Sequence, residues 1–166
     1  INKMNFKINK ILNKKNKSKI VCLTAYSKNI AQIIDKHVDI VLVGDSLGSV
    51  LYDFKTTRKV NLKMMIEHTK SVRVGVTKSL LVIDLPYNTY RNKSEALRNS
   101  KKAIKDTKCD AVKIEGGIRV KNIVSHLVKN KIPVLGHIGI TPQTTKGKFK
   151  SKGKNETEKR KLIKDA

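Results

Sequence analysis

Short apolar runs recur along this chain, and a segment with helical periodicity separates each run from the next. The runs have the length of strands and are apolar at nearly every position, which is typical of parallel strands buried on both faces. They lie at residues 20–24, 40–43, 80–85, 111–115 and 132–138. Because strands that alternate with helices build βα units, this pattern predicts an α/β fold with a parallel sheet.

Amphipathic helices are predicted between the runs, where apolar residues fall on one face at helical spacing. Ser27 and Ser94 are the predicted N-caps of two helices, since a serine oxygen can accept a hydrogen bond from a free amide of the first turn. Gly75 is expected to end a third helix. The predicted helices cover residues 3–16, the segment containing 30–34, and residues 62–74, 94–107, 120–128 and 156–166.

The number of βα units indicates an incomplete barrel. A (β/α)8 TIM barrel needs eight units in typically about 250 residues, whereas five units are predicted in these 166 residues. We therefore predict one TIM-barrel domain over residues 1–166, truncated after about five βα units, with an N-terminal helix at about 3–16 and barrel units from about residue 20. The last three units are expected to be missing, which would leave unpaired strand edges and little stability in isolation.

The formal net charge of +24 raises the alternative of a basic nucleic-acid-binding module, because clustered cations displace counterions from phosphates. Six of the 37 basic residues are arginine, the lysines are spread along the chain, and aromatic residues make up 4%. The arginine forks and stacking rings that usually hold nucleic acids are therefore scarce. The composition argues against a nucleic-acid partner.

The compartment is predicted from what the sequence lacks. No run approaches the roughly 18–20 uninterrupted apolar residues of a membrane span, and the basic first segment has no apolar core or cleavage site of a secretory signal. Cys22 and Cys109 are far apart and have no CxxC partner, so two reduced thiols are expected. We predict a cytoplasmic protein whose natural start is Met4 or lies upstream of Ile1.

Polar side chains stand at the carboxyl ends of four predicted strands, where α/β barrels keep their reactive groups. Asp45 and Ser46 follow the second strand, Asp84 lies in the third, Glu115 ends the fourth and His137 lies in the fifth. Any one of these residues would be ordinary at the start of a loop. Together they predict a site at the mouth of the barrel.

Lys113 and Glu115 are two residues apart in the fourth strand and so share one face, while Val112 and Ile114 share the other. The apolar face is expected to meet the helices, which turns Lys113 and Glu115 inward. Buried charges are costly unless they are paired or bound, so the alternatives are a structural ion pair and a cation that faces an anionic substrate beside a metal. Carboxylates with open water positions suit Mg²⁺, whereas zinc-type Cys/His spacing is absent from the sequence.

These segments resemble those of a known enzyme family. The strings LTAY (23–26), VLVGDSLG (41–48), DLPY (84–87), VKIEGG (112–117) and GHIGITPQ (136–143) are similar in order and spacing to the sequence blocks of ketopantoate hydroxymethyltransferases. The resemblance covers about residues 20–153. It implies a TIM barrel that transfers a hydroxymethyl group from 5,10-methylenetetrahydrofolate to the keto acid 3-methyl-2-oxobutanoate, giving 2-dehydropantoate in pantothenate synthesis. It also implies a homo-oligomer, decamer-like, and an enolate stabilised by Mg²⁺.

The resemblance assigns roles to the strand-end residues. Asp45 and Asp84 would hold Mg²⁺, with Glu115 as the third acidic group at the metal. Ser46 and Lys113 would bind the keto acid, in a pocket that Asp45 and Asp84 also line.

Other features carry weaker expectations. His137 is a possible further site residue, and the Lys-rich loop 146–154 would cover the site and attract the folate glutamate tail. The general base of the family is a glutamate on a later strand, beyond Ala166, so no catalytic residue is assigned in this chain and it is expected to be inactive alone.

Two residue groups are predicted to have no role in the site. Tyr26 is expected to pack at the barrel mouth, and the helix histidines are expected to be structural: His37, His68 and His126. The nearest alternative enzyme is another Mg²⁺-dependent enolate-forming barrel, similar to phosphoenolpyruvate mutase or isocitrate lyase. The cysteine-containing KKCGH-like loop of those lyases is absent after the fourth strand.

Overall fold

A computed structural model describes residues 3–145, 147 and 149–166, so Lys146 and Lys148 of the predicted covering loop lie outside the described residues. The strands are β1 (Cys22–Thr24), β2 (Ile40–Val43), β3 (Leu80–Asp84), β4 (Ala111–Glu115) and β5 (Val134–His137). The helices are α1 (Lys3–Leu12), α2 (Lys28–Ile34), α3 (Leu47–Tyr52), α4 (Leu62–Gly75), α5 (Lys93–Thr107), α6 (Lys121–Lys129) and α7 (Glu156–Asp165), with short 3-10 helices at Thr57–Lys59 and Gly117–Val120.

The described strands form one parallel sheet in the order β1-β2-β3-β4-β5, so each strand pairs with its neighbours in sequence. Val41 lies opposite Leu81 and Ile83 opposite Val112, which aligns the carboxyl ends of the strands. This is the strand order of successive barrel units, and it confirms the predicted α/β fold with a parallel sheet.

The two faces of the sheet bury different layers. The outer face packs against the helices through fully buried side chains: Val41, Val43, Leu81, Ile83, Val112 and Ile114. The inner face is apolar near its amino end, where Ile40, Leu80 and Val82 pack with Ile8 and Ile11 of α1. Charged residues occupy the same inner face near its carboxyl end, so the apolar and polar halves of the interior are separated along the strands.

Polar contacts secure the amino end of the sheet. Lys7 of α1 is 7% exposed and donates from Nζ to the Ser79 carbonyl oxygen at 2.7 Å. The Asp35 carboxylate accepts hydrogen bonds from the amides of Thr77, Lys78 and Ser79. These bonds, with the Thr77 hydroxyl, hold the pKa of Asp35 well below its usual range despite burial. The network is structural and lies at the end opposite the predicted site.

The edge strands are shorter than predicted. The first covers Cys22–Thr24 rather than residues 20–24, and the fifth covers Val134–His137 rather than 132–138. Each pairs on one side only, so fewer backbone groups find partners at its ends. All three residues of β1 are exposed, in contrast to the fully buried β3.

The predicted N-cap of α5 is wrong. The cap is Asn92, whose Oδ1 accepts a hydrogen bond from the Glu95 amide at 2.9 Å, and Ser94 already lies inside the first turn. Ser27 does precede α2 as predicted, but its side chain makes no capping hydrogen bond. The first helix ends at Leu12 rather than near residue 16.

Two further expectations concern cysteines and membranes. Cys22 and Cys109 are both free thiols, as predicted. Within the described part of the chain, no helix is both long enough and apolar enough to span a bilayer.

Candidate active site

The predicted site residues meet at the carboxyl ends of the strands. Asp84 lies opposite Lys113 in the register of β3 and β4, and Glu115 lies opposite His137 in that of β4 and β5. Asp45 lies two residues after the end of β2, and its backbone amide is hydrogen-bonded to Asp84. The carboxylic residues are nearly inaccessible, with exposed fractions of 7% for Asp45, 3% for Asp84 and 5% for Glu115. The sheet therefore places three buried acids at the carboxyl ends of neighbouring strands.

Lys113 and Asp84 form an ion pair at the centre of this group. The Lys113 Nζ lies 2.8 Å from Asp84 Oδ1 and 3.0 Å from Oδ2. Burial raises the pKa of Asp84, an effect that the adjacent ammonium group opposes. Of the two alternatives predicted for Lys113, the structure therefore shows the ion pair. Binding of an anionic substrate by Lys113 is compatible with this pair, since the lysine side chain remains 17% exposed.

Asp45 is the acid with the least favourable surroundings. Its backbone amide donates to Asp84 Oδ2 at 3.1 Å, which brings the two aspartates together. Burial, and then the negative charge of Asp84, raise the pKa of Asp45 to about 6. A cation placed between two such carboxylates would favour the ionised form of both.

Glu115 is held from two sides. Its Oε1 accepts a hydrogen bond from the Gln143 amide at 2.7 Å, and its Oε2 lies 3.3 Å from His137 Nδ1. That short separation does not have the alignment of a hydrogen bond, and the buried His137 Nδ1 has no partner among the described residues. The geometry is therefore that of an electrostatic contact, which is attractive when Nδ1 carries a proton.

The donor set fits an open magnesium site better than a closed metal cage. Among residues 3–145, 147 and 149–166, no three Asp, Glu, His or Cys side chains are gathered as a metal-binding group. Mg²⁺ is usually bound by one or two carboxylates, with waters and substrate completing the shell. Asp45 and Asp84 could supply these carboxylates, and the ligand set of Asp45, Asp84 and Glu115 stays a prediction.

Ser46 lies beside an unpredicted partner. Its hydroxyl is 2.8 Å from the hydroxyl of Tyr26, and the Tyr26 carbonyl oxygen contacts His68 Nδ1 at 2.8 Å. The expected packing role of Tyr26 and structural role of His68 stay predictions, and the hydrogen bond between Tyr26 and Ser46 is a contact that the sequence did not predict. The adjacency of Tyr26 to the first strand end, in LTAY, was the available signal.

Gln143 and Tyr90 are the other residues that the sequence did not identify. Gln143 is 3% exposed and its Nε2 donates to Asp45 Oδ2 at 2.8 Å. The Tyr90 hydroxyl donates to Gln143 Oε1 at 2.5 Å. Gln143 belongs to the GHIGITPQ string, but periodicity cannot reveal a loop residue that folds back into the sheet.

The cavities differ in character. A cavity of about 260 Å³ borders Glu115, Tyr90 and Arg119 next to the acids. A larger one of about 720 Å³ lies on the apolar flank between α6 and α7. Of the three acids, Glu115 lines the smaller cavity, whereas Asp45 and Asp84 line neither of these two cavities.

Comparison with known proteins identifies the family. A family model described as ketopantoate hydroxymethyltransferase matches residues 5–166. The 3-methyl-2-oxobutanoate hydroxymethyltransferase of Pelagibacter ubique is 61% identical over 163 residues, which are 98% of this chain and 63% of that protein. The enzyme of the same name from Rhizobium etli is 47% identical over 150 residues, covering 89% of this chain and 55% of that protein.

Solved structures support the fold alone, because their sequence identity is low. A 2,3-dimethylmalate lyase of the PEP mutase/isocitrate lyase superfamily has a TM-score of 0.56 at 10% identity, covering 78% of this chain and 49% of its own. Oxaloacetate acetylhydrolase has a TM-score of 0.58 at 11% identity, covering 79% and 50%.

The chain thus spans about 55–63% of the length of these two curated relatives. The family model nevertheless extends over almost all of the chain, and the residues of the five sequence blocks converge at one end of the sheet. The chain belongs to the ketopantoate hydroxymethyltransferase family.

Proposed function

We propose that this chain supplies the keto-acid and metal site of an enzyme that transfers a hydroxymethyl group from 5,10-methylenetetrahydrofolate to 3-methyl-2-oxobutanoate. The product would be 2-dehydropantoate, in pantothenate synthesis. Beyond family membership, the observation that carries the proposal is the buried cluster of Asp45, Asp84 and Lys113 at the barrel mouth.

Lys113 and Ser46 are the residues proposed to bind the keto acid. The substrate is an anion, and the Lys113 ammonium group offers a positive charge that is otherwise shared only with Asp84. The Ser46 hydroxyl, in contact with Tyr26, can donate one hydrogen bond to a substrate oxygen. Together they would orient the substrate carboxylate at the end of the charged inner face.

Asp45 and Asp84 are the residues proposed to hold Mg²⁺, with Glu115 as the third acidic group near it. When bound, the ion would supply Lewis-acid polarisation of the keto oxygen and so stabilise the enolate. Burial, and then the neighbouring Asp84 carboxylate, raise the pKa of Asp45, and a bound cation would favour its ionised form.

Proton removal, covering of the folate and assembly are proposed to depend on groups outside this cluster. The proton on C3 of the keto acid would be removed by the glutamate that the family carries on a later strand, so this chain is proposed to bind but not to turn over. The Lys-rich loop 146–154 is proposed to cover the folate. A cytoplasmic homo-oligomer is proposed on the family resemblance.

The first test measures keto-acid binding by calorimetry, with Mg²⁺ and with EDTA. We expect Mg²⁺-dependent binding of 3-methyl-2-oxobutanoate by the wild-type chain. Lys113→Met should weaken it by about tenfold or more, since a hydrogen bond to a charged group is lost. Lys105→Met removes an exposed lysine of α5 and is the matched control, with unchanged affinity expected.

Two results would contradict the proposal. One is the absence of keto-acid binding by the folded wild-type chain in Mg²⁺. The other is equal affinity in the Lys113 and Lys105 variants, which would move the substrate carboxylate away from Lys113.

A further inference from the structure

One buried residue, Gln143, links three strand ends of the site through its side-chain and backbone amides. The Gln143 side chain donates from Nε2 to Asp45 Oδ2 at 2.8 Å and to the Leu85 carbonyl oxygen at 3.0 Å. Its backbone amide donates to Glu115 Oε1 at 2.7 Å. Asp45, Leu85 and Glu115 follow or end β2, β3 and β4, so this loop residue reaches across the middle of the sheet.

The orientation of the Gln143 amide is set by its hydrogen-bond partners. The Tyr90 hydroxyl donates to Oε1 at 2.5 Å, while both acceptors, a carboxylate and a carbonyl, face Nε2. The reversed amide would place an oxygen against the Asp45 carboxylate and against the Leu85 carbonyl, with no proton between them. The two acceptors therefore select the one orientation in which Gln143 can bind Asp45, and the Tyr90 hydroxyl, which can donate or accept, completes it by donating to Oε1.

The loop that carries Gln143 is also held from outside. Arg58 donates from Nε to the Gln143 carbonyl oxygen at 2.8 Å, and its guanidinium carbon lies 4.8 Å from the centre of the Tyr87 ring. Backbone and side chain of Gln143 are thus restrained separately. Because the conformation of Gln143 is itself restrained, this residue can determine the positions of the Asp45 and Glu115 carboxylates.

The hydrogen bonds from Gln143 reach one oxygen of each acid. Asp45 is contacted through Oδ2 and Glu115 through Oε1. Each hydrogen bond restricts the rotation of its carboxylate. The direction of the second oxygen, Asp45 Oδ1 or Glu115 Oε2, is therefore restricted as well. Groups that fix a metal-binding or substrate-binding carboxylate in this way commonly change metal affinity by about 10–100-fold when they are removed.

We infer that Gln143, supported by a hydrogen bond from Tyr90, is a positioning residue that sets the Asp45 and Glu115 carboxylates for a divalent cation and the keto acid. The inference rests on the function proposed above. It adds Gln143, which is hydrogen-bonded to Asp45 and Glu115, and its partner Tyr90. Neither residue is a proposed metal ligand.

The test measures the dissociation constant for Mn²⁺, used as a paramagnetic substitute for Mg²⁺, by electron paramagnetic resonance with 3-methyl-2-oxobutanoate present. Gln143→Leu should weaken Mn²⁺ binding by about 10–100-fold. Tyr90→Phe should weaken it by about two- to tenfold, because one neutral hydrogen bond is removed. Circular dichroism at the same temperature gives the folded fraction, to which each affinity is referred.

Matched controls separate positioning from general effects of the substitutions. Gln32→Leu alters an exposed glutamine of α2 that has no part in the site. It should bind Mn²⁺ within twofold of the wild type. Asp45→Asn, which removes a proposed ligand, should abolish binding.

The outcomes distinguish the two levels of the argument. If the folded wild-type chain binds no Mn²⁺, the proposed function fails and this inference fails with it. If the wild type binds, Asp45→Asn does not, and both Gln143→Leu and Tyr90→Phe bind within twofold of the wild type, the positioning role is overturned while the proposed function stands. Should Gln143→Leu fail to fold, Tyr90→Phe alone decides by the same criterion.

Discussion

Asp45 is held in the folded chain in surroundings that disfavour its charge. Burial and the neighbouring Asp84 raise its pKa to about 6, from an ordinary value of 3.8. A carboxyl group whose pKa is raised by folding binds its proton more strongly in the folded state. The free energy of unfolding therefore falls as the pH rises from about 4 through 6, and the ionised group opposes folding at neutral pH.

Replacement of this charge should stabilise the metal-free chain. We expect Asp45→Asn to raise the free energy of unfolding at pH 7.5 by up to about 3 kcal/mol, since one pKa unit corresponds to about 1.4 kcal/mol. The gain should shrink toward pH 4, where Asp45 is protonated in the folded state. Urea denaturation in EDTA at both pH values measures it, and destabilisation at both would contradict the assigned cause.

At this scale the sequence predicted residues that belong to strands and missed residues that reach the site from loops. Lys113 and Glu115 could be turned inward because strand side chains alternate with a period of two. Gln143, Tyr90 and Tyr26 contact the site across elements distant in sequence. No local spacing encodes such contacts, so they emerge only when the strand ends are brought together.

Among the elements, the connection between α4 and β3 depends on one acid. Asp35 follows α2 and binds the backbone of Thr77, Lys78 and Ser79. Because its pKa is depressed in the folded state, its contribution to stability is present above the unfolded pKa of 3.8 and is lost as the pH falls below it.

Asp35→Ala should lower the free energy of unfolding by about 3 kcal/mol at pH 7, because three backbone amides and the Thr77 hydroxyl lose their charged acceptor. Asp106→Ala removes an aspartate whose partner is Lys102 on the surface of α5, and should change stability by about 0.5 kcal/mol or less. Urea titrations of the two variants provide the comparison. Equal losses would show that the Asp35 network is not a stabilising feature.

The start of α5 tests the corrected N-cap. Asn92→Ala should destabilise the chain by about 1 kcal/mol, because the Glu95 amide loses its acceptor. Ser94→Ala, two residues later and exposed, should be nearly neutral. Thermal denaturation followed by circular dichroism at 222 nm distinguishes the two, and a larger loss for Ser94→Ala would restore the original prediction.

The elements that were predicted well are those whose environment is uniform. The central strands β3 and β4 are buried along their length, so their apolar runs mark them clearly. The edge strands lack a partner on one side, and α3 and the 3-10 helix at Thr57–Lys59 are too short for a periodic signal. Capping between nearby polar residues depends on backbone geometry that the sequence does not specify.

For the whole molecule, the sheet of the described residues has two open edges at β1 and β5. The chain covers 63% of the length of its Pelagibacter ubique relative. We expect fusion of this chain to the remaining C-terminal part of that relative to raise the unfolding midpoint and to produce 2-dehydropantoate. The unfused chain should bind the keto acid with Mg²⁺ but form no product.

Product formation by mass spectrometry measures this expectation, with the same fusion carrying Asp84→Asn as the inactive control. Turnover by the unfused chain would contradict the assignment of the proton acceptor to a later strand. An inactive but well-folded fusion that still binds the keto acid would contradict the expectation that this chain can replace the corresponding part of the Pelagibacter ubique enzyme.

Neighbours in the sheet are also neighbours in the chain, from β1 through β5. During synthesis on the ribosome, each new strand can therefore add to a partner that has already emerged. Asp45 and Asp84 are both translated before Lys113. Both aspartates are therefore synthesised before the ammonium group that pairs with Asp84, and the arrival of β4 compensates one of these two carboxylates.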